Sequence, residues 1–153
     1  MSANTSKALV DDFVAQKAFA VVGVSQNPRK FGNLAYRELK LRGYRLFPVN
    51  PNLEKMGEDH CYPTLKSIPE KVGGVLIIVP PKETEKIVKE ADEAGIKHVW
   101  MQQGAESETA IKYCEEHGLK EVHGECILMF TQPVKSYHKL HRGITRLFGN
   151  FPK

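Results

Sequence analysis

Apolar runs alternate with amphipathic segments along most of the chain. The runs predict five strands, at 18–24, 44–49, 73–81, 98–102 and 121–123. Amphipathic spacing predicts four helices, at 7–15, 31–42, 82–94 and 106–117. The run GGVLIIVPP has no polar alternation, which is typical of a strand buried on both faces of a parallel sheet. The pattern therefore predicts an α/β protein: a single-domain, Rossmann-like three-layer sandwich with a mostly parallel five-stranded sheet.

Two local expectations follow from the same pattern. The helix at 31–42 is expected to bury one face made of Phe31, Leu34, Ala35 and Leu39, and to end at Gly43. The segment 51–70 contains too many prolines for a full helix, so one short turn is expected near Leu65.

Composition is that of a soluble globular protein. Of 153 residues, 41% are hydrophobic and 26% are charged, and the formal net charge of +4 favours anionic partners without identifying one. The N-terminal residues lack an apolar leader and no apolar run has membrane-spanning length, so no membrane span and a cytoplasmic location are expected. The three cysteines are widely and irregularly spaced, which indicates reduced thiols.

The loop after the first strand is the strongest functional signal. In FAVVGVSQNPRKFGN, an apolar strand ends at Gly23 and a helix begins near Phe31. Ligands of such sheets lie beyond the carboxyl ends of the strands, which places the segment from Gly23 to Asn33 beside Asn50, Pro80 and Gln103. The N–H groups that open the helix, with Arg29 and Lys30, predict an anion site. The alternative is a tight turn with two solvated cations.

The end of the second strand reduces the number of candidate ligands. In FPVNPN, Asn50 stands where a carboxylate would accept hydrogen bonds from the ribose diol of NAD. A neutral amide, the cationic loop and Lys55 suit a phosphorylated ribose, which leaves NADP or coenzyme A (CoA). Ser25 replaces the second glycine of the usual dinucleotide loop, which disfavours close approach to a pyrophosphate in the manner of NADP. CoA is therefore favoured, and an NADP-binding oxidoreductase or redox-sensing domain is the alternative.

Four segments in order carry a family resemblance: AVVGVSQNPRKFGNLAYRELKLRGYRLFPVNPN, CYPTLKSIPE, VLIIVPP and WMQQGAES. Together they resemble the stand-alone CoA-binding protein family, related to the N-terminal domain of the succinyl-CoA synthetase alpha subunit, over residues 17–126. The resemblance implies a small protein that binds CoA or acyl-CoA. The synthetase's phosphorylated histidine belongs to a second domain that is not present in this chain, so catalysis by the chain alone is not expected.

The resemblance also implies roles for individual residues. The phosphates would lie on the loop, the adenosine beside Asn50 and Pro51, and the adenine between Val79 and Pro80, with Gln103 and Gly104 closing the crevice. The synthetase has more glycines in the loop and an acid at the position of Gln103. The complete predicted site is Gly23, Val24, Ser25, Gln26, Asn27, Arg29, Lys30, Asn33, Asn50, Pro51, Val79, Pro80, Gln103 and Gly104.

Other reactive residues give weaker signals. Cys61 follows the second strand on the ligand side, and an exposed thiolate there could form a mixed disulfide with CoA. The alternative is an unreactive buried thiol. The pairs Cys114–His117 and His123–Cys126 lack the tight spacing of structural zinc sites, so no metal is expected. No catalytic residues are predicted, because no nucleophile–base set or Walker loop is evident.

The last residues differ in character. The segment 135–153 carries five lysines and arginines, and no acidic residue follows Glu125. A helical reading gives one apolar stripe, so residues 135–153 are predicted to be a basic helical extension packed on the domain at 1–134 or on a second subunit. Docking of this segment on a membrane face or nucleic acid is the less favoured alternative. A homodimer is compatible with the sequence.

Overall fold

The computed structural model describes residues 7–131, which contain four α-helices and seven strands. The helices are α1 (Lys7–Val14), α2 (Phe31–Leu41), α3 (Pro81–Glu93) and α4 (Glu108–Glu116). The strands are β1 (Ala18–Val22), β2 (Arg45–Val49), β3 (Lys55–Met56), β4 (Asp59–His60), β5 (Gly74–Ile77), β6 (His98–Met101) and β7 (Lys120–His123). Two short 3-10 helices occupy Leu65–Ser67 and Ile127–Met129.

Five of the strands form one parallel sheet in the order β2-β1-β5-β6-β7. The order reverses at β1, which has β2 on one side and β5 on the other. Such a reversal opens a crevice at the carboxyl ends of the strands, between the loops that follow β1 and β5. The predicted Rossmann-like sheet is confirmed, and its switch point lies where the loop after β1 was expected to bind.

Alternating side chains of the sheet build a separate apolar layer on each face. Phe19 and Val21 of β1 pack on the side of α1 and α2, whereas Ala20 and Val22 pack on the side of α3 and α4. Helices therefore cover both faces, as a buried parallel sheet requires. This arrangement confirms the predicted three layers.

Trp100 lies at the centre of the layer beneath α1 and is fully buried. Its ring contacts Phe13 at a centroid distance of 5.3 Å, and its Nε1–H donates to the backbone oxygen of Glu125 at 3.1 Å. The Glu125 side chain is also buried, and within the described residues neither carboxyl oxygen has a hydrogen-bond partner. Burial raises the pKa of this carboxyl group above its usual range.

The buried face of α2 differs from the predicted one. Phe31 and Leu34 were expected inside but are 38% and 41% exposed. The inner face consists of Gly32, Asn33, Ala35, Tyr36 and Leu39. A close contact between Gly32 and the end of β1 fixes the rotation of the helix, so an asparagine and a tyrosine face inward where two apolar side chains were predicted.

The proline-rich segment after β2 contains one predicted and one unpredicted element. The turn expected near Leu65 is the 3-10 helix at Leu65–Ser67, capped by Thr64. The hairpin of β3 and β4 was missed: Lys55 pairs with His60 and Met56 with Asp59 across a turn at Gly57. Two-residue strands leave no period for a sequence pattern to reveal.

Two predictions concern residues at the ends of the chain. The domain boundary at 134 and the basic extension at 135–153 lie outside the described residues. Within residues 7–131, no helix has the length and apolar character needed to cross a membrane.

Candidate functional site

The loop after β1 is held against α2 and β5 by two glycines. Gly23 has a φ of +134°, and a Cβ atom there would lie 2.2 Å from the Ile78 backbone oxygen. A Cβ atom on Gly32 would lie 2.1 Å from the Gly23 backbone oxygen. Only glycine permits both approaches. Gly32 was not predicted as a site residue, although its position two residues into the helix was visible in the sequence.

Two asparagines of the predicted site fix the backbone of this loop. The Ser25 N–H donates to Asn33 Oδ1 at 2.8 Å, and Asn33 Nδ2 donates back to the Ser25 oxygen at 2.8 Å. Asn50 Nδ2 donates to the Val24 oxygen at 2.8 Å, and Asn50 Oδ1 accepts from the Asn52 N–H. Both amides are thus engaged inside the protein, and the Val24 side chain is buried in the core.

The tip of the loop forms a compact turn. Asn27 Oδ1 accepts from the Arg29 N–H at 2.9 Å, and the Asn27 backbone oxygen accepts from the Lys30 N–H at 3.1 Å. The Ser25 hydroxyl also contacts the Asn27 backbone. The turn leaves Gln26, Arg29 and Lys30 exposed. In this Asx turn the Asn27 side chain bonds the backbone two residues further on, and so stabilises a tight turn without glycine.

The N-terminus of α2 differs from that of α4. Lys30 occupies the N-cap position of α2 and makes no capping bond through its side chain. In α4, the Ser107 hydroxyl accepts from the Ala110 N–H at 3.0 Å. The first N–H groups of a helix lack acceptors in a preceding turn. In α2 the Asn33 N–H donates to the Lys30 backbone oxygen at 3.1 Å, so the N–H groups of Phe31 and Gly32 remain for an anion, next in sequence to Arg29 and Lys30.

The remaining predicted residues lie along the same edge of the sheet. Val79 is half-buried and Pro80 exposed where β5 ends and α3 begins. Pro51 is exposed in the turn after β2. Gln103 and Gly104 follow β6 and are exposed, and Gln103 Nε2 donates to the Gly124 oxygen at 3.3 Å, which directs it toward the loop after β7.

A comparison with protein families places the chain in one of them. The model of the CoA binding domain family matches residues 17–132. The chain belongs to this family. The assignment made from the sequence motifs is therefore confirmed.

Relatives of this CoA-binding domain include large and small proteins. An ADP-forming acetate–CoA ligase II from Archaeoglobus fulgidus is 31% identical over 121 residues, which are 71% of this chain and 18% of the ligase. The chain spans about a fifth of the length of the ligases that it matches first. An uncharacterized protein of Bacillus subtilis, YneT, is 26% identical over 125 residues, which cover 81% of this chain and 93% of that protein.

A solved structure of a shorter protein has the same fold. A conserved hypothetical protein from Pyrococcus furiosus is 39% identical, with a TM-score of 0.70 over 72% of this chain and 96% of its own. The CoA-binding domain thus occurs both as part of large ligases and in proteins not much longer than the domain itself.

Cys61 and Cys114 are buried thiols that do not face the crevice as reactive thiolates. Cys61 is 2% exposed, its thiol lies 3.8 Å from the Asn50 oxygen, and burial raises its pKa. The structure supports the buried, unreactive alternative for Cys61. Cys114 is fully buried in the layer beneath α3 and α4, where burial raises its pKa to about 12.

A cavity of about 720 Å³ lies between the loop after β1, α2 and the β3–β4 hairpin. It is lined by Ser25, Gln26, Pro28, Asn33, Tyr36, Arg37, Lys40, Leu53, Lys55, Met56, Gly57, Glu58 and Asp59. Asn33, Ser25 and Gln26 were predicted site residues, and Lys55 was named as suited to a phosphorylated ribose. The other lining residues, from α2 beyond Asn33 and from the hairpin, were not predicted, because the hairpin itself was not. We call this space the α2–hairpin cavity.

A polar cluster joins the hairpin to α2 at the wall of this cavity. The Tyr36 hydroxyl donates to Asp59 Oδ2, and Lys40 Nζ lies 2.6 Å from the same oxygen. Burial opposes ionisation of Asp59, but the hydrogen bonds from Lys40 and Tyr36 outweigh it, so the pKa of Asp59 is lowered. Burial, followed by the hydrogen bond to Asp59, raises the pKa of Tyr36. The cluster holds a carboxylate, an ammonium group and a protonated phenol.

Proposed function

We propose that the chain binds CoA or an acyl-CoA in the crevice at the β1–β5 switch point, with the pyrophosphate at the N-terminus of α2. One observation carries the proposal: in this CoA-binding domain no side chain caps the switch-point helix, and Arg29 and Lys30 are exposed next to the N–H groups of Phe31 and Gly32. Neutral amides occupy the end of β2, so no carboxylate there repels a phosphorylated ribose.

The rest of the predicted site takes its place in this proposal. Gly23, Ser25, Gln26 and Asn27 form the loop against the phosphates, and Asn33 and Asn50 act by holding that loop in shape. Pro51, Val79 and Pro80 would contact the adenosine, and Gln103 and Gly104 would border the other end of the crevice. Asn33 and Asn50 are therefore proposed as positioning residues, because their amides are already bonded to the loop.

Binding without catalysis by this chain alone is part of the proposal. Tyr36 and Lys40 lie one turn apart on α2, which is the spacing at which a lysine could activate a tyrosine in an oxidoreductase. Here both bond to Asp59, and the raised pKa of Tyr36 keeps its phenol protonated. A phenol in this state is not a base near neutral pH, which disfavours the NADP-dependent oxidoreductase.

A ligand panel tests the proposal. Isothermal titration and thermal shift with CoA, acetyl-CoA, NADP and NAD should give saturable binding and a raised midpoint for the two CoA species, because a ligand of the folded state stabilises it. The ratio of the dissociation constants for CoA and acetyl-CoA decides whether the thioester is recognised. A midpoint shift with NADP and none with CoA would overturn the proposal.

Arg29 tests the phosphate contact itself. Arg29→Ala should weaken CoA by about tenfold or more, since a hydrogen bond to a charged group contributes about 1.5–3 kcal/mol. Pantetheine has no phosphate, so its binding should not change. Lys71→Ala removes an exposed cation remote from the crevice and serves as the control. Equal losses for CoA and pantetheine would assign Arg29 to a solvated turn.

A further inference from the structure

An apolar surface on the outside of α2 has no part in the proposed function. Within residues 7–131, the large apolar side chains that are exposed are Phe31, Leu34 and Leu41, and all three belong to this helix. Leu41 is the most open of them, at 67% exposure. The three are spaced by three and seven residues, so they lie on one side of the helix in a row about 15 Å long. We call this row the outer face of α2.

We propose that residues 137–147 of this chain dock along the outer face of α2, antiparallel to the helix, and cover its three apolar side chains. The sequence predicts that the segment 135–153 packs on the domain or on a second subunit. Docking on α2 selects the domain and assigns the surface that receives the segment. This interaction is independent of the proposed function.

The described part of the chain ends beside the outer face. Thr131 is fully buried, and Arg42 Nη1 donates to its backbone oxygen at 3.2 Å and to its hydroxyl oxygen at 2.7 Å. Arg42 follows Leu41 directly, so the chain beyond Thr131 starts at the C-terminal end of α2. The six residue steps from Thr131 to Tyr137 span up to about 20 Å. This distance is sufficient for the chain to turn back and run along the helix toward Phe31.

The apolar residues of the segment have the same spacing as the outer face. With Glu38 included, the row on α2 has intervals of three, four and three residues. The segment repeats these intervals in the row Tyr137, Leu140, Ile144 and Leu147. Helices with apolar residues at such intervals pack these rows against each other, and both rows are about 15 Å long. Antiparallel docking pairs Tyr137 with Leu41, Ile144 with Leu34, and Leu147 with Phe31.

The distribution of charge favours this segment over a second copy of α2. Lys30 and Arg37 are exposed and lie four residues before the two leucines of the outer face, so they flank it. Antiparallel pairing of two copies of α2 would bring these like-charged flanks together. The segment has Ser136 and Gly143 at the equivalent positions, four residues before two of its own leucines. Three of its cations fall on the side opposite its apolar row: Lys139, Arg142 and Arg146.

A pair of introduced cysteines tests the contact in the full chain. Cys126→Ser first removes the half-buried native thiol. In this background, Leu34→Cys combined with Ile144→Cys should form an intramolecular disulfide on mild oxidation, detected by peptide mapping. Lys112→Cys combined with Ile144→Cys is the matched control, because Lys112 is exposed on α4, on the other face of the sheet. The control pair should react at least about tenfold more slowly, since its two thiols are not held together.

Trypsin gives a second measurement without introduced cysteines. Docking should protect the lysines and arginines of the segment from cleavage. Leu34→Asp should accelerate cleavage within 135–146 by about tenfold or more, because the protease cuts the undocked state. Thr109→Asp, at an exposed position of α4, should cleave as the wild type does. Leu34 is exposed in the domain, so the thermal midpoint of Leu34→Asp should match the wild type and exclude misfolding as the cause.

The outcomes distinguish the possible occupants of the outer face. Equal reaction of the cysteine pairs at 34 and 144 and at 112 and 144 overturns the docking. Trypsin cleavage that Leu34→Asp leaves unchanged does the same. A disulfide between positions 34 and 144 that joins two chains at every protein concentration assigns the face to a second copy and overturns docking within one chain. CoA is absent from both experiments, so a negative result leaves the proposed function unaffected.

Discussion

At the scale of single residues, side-chain amides as well as glycines shape the loop after β1. An amide has a donor and an acceptor, so Asn33 can bond both the N–H and the oxygen of Ser25 as a neighbouring strand would. A carboxylate could accept from the N–H but could not donate to the oxygen. The side chain is 3% exposed, so water cannot substitute for these bonds.

Removing the Asn33 amide should loosen the loop. In Asn33→Ala the N–H and oxygen of Ser25 lose their partners, and the free energy of unfolding should fall by about 1–3 kcal/mol. CoA affinity should fall as well, because the loop then has no fixed shape before binding. Urea unfolding and isothermal titration measure the two effects. Exposed Asn52→Ala is the control, and unchanged affinity in Asn33→Ala would argue against the positioning role.

Gly32 provides a prediction whose sign is opposite to the usual one. Replacing an exposed helical glycine by alanine normally raises the free energy of unfolding by about 1 kcal/mol. Here the new Cβ atom would lie 2.1 Å from the Gly23 oxygen, so Gly32→Ala should lose about 1–3 kcal/mol through overpacking and should displace the loop. Leu34→Ala, on the exposed side of the same helix, should lose far less. Circular dichroism during urea unfolding gives both values, and a stabilised Gly32→Ala would refute the contact.

At the scale of elements, the β3–β4 hairpin depends on α2 for its position. Its strands have two residues each, and a hairpin this short is not stable in isolation. Asp59 bonds to Tyr36 and Lys40. One carboxylate therefore connects the hairpin, which follows β2 in the sequence, to α2, which precedes β2. The shape of the α2–hairpin cavity therefore depends on the charge of Asp59.

The lowered pKa of Asp59 gives a pH dependence with a definite sign. The stabilisation that Asp59 provides is complete above its pKa in the unfolded chain, about 4, and is lost as pH falls through the lower value of the folded state. Asp59→Asn should therefore lower stability by about 1 kcal/mol near neutral pH. The difference between wild type and variant should shrink on acidification. Urea unfolding as a function of pH measures it, with exposed Glu58→Gln as the neighbouring control. A stability difference between wild type and Asp59→Asn that does not change with pH would contradict the link between Asp59 ionisation and stability.

At the scale of the whole molecule, the fold was predictable because apolar runs and amphipathic segments alternate visibly along the sequence. Five apolar runs and the glycines after α2, α3 and α4 mark most elements of the sheet and its helices to within two residues. The strand predicted at 73–81 is too long: it ends at Ile77, and Pro81 already begins α3. The loop after β1 was predictable as part of a candidate site, because parallel strands bring their carboxyl ends to one edge of the sheet. The rotation of α2 was not predictable from the sequence, since it depends on the contact between Gly32 and Gly23. The α2–hairpin cavity was not predictable either, since one of its walls is a hairpin too short to show a sequence pattern.

Glu125 should make the stability of the whole protein decrease with rising pH. Burial raises the pKa of Glu125 in the folded state. The carboxyl group therefore costs no stability below its pKa in the unfolded chain, about 4, and the folded state is destabilised as pH rises through the higher pKa of the folded state. Glu125→Gln removes this titration, so the variant should gain stability relative to the wild type as pH increases. Urea unfolding at a series of pH values tests this. Exposed Glu116→Gln should follow the wild type throughout, and parallel curves for Glu125→Gln would contradict the prediction.

Trp100 also gives the protein its own optical reporter. It is the single tryptophan of the sequence and is fully buried between Phe13 and Phe130, with its Nε1–H bonded to the oxygen of Glu125. Entry of water at the β6–β7 side of the sheet should shift its emission to longer wavelength, while rearrangement of the exposed hairpin should not. Intrinsic fluorescence can therefore distinguish opening of the core from adjustment of the site without an added dye.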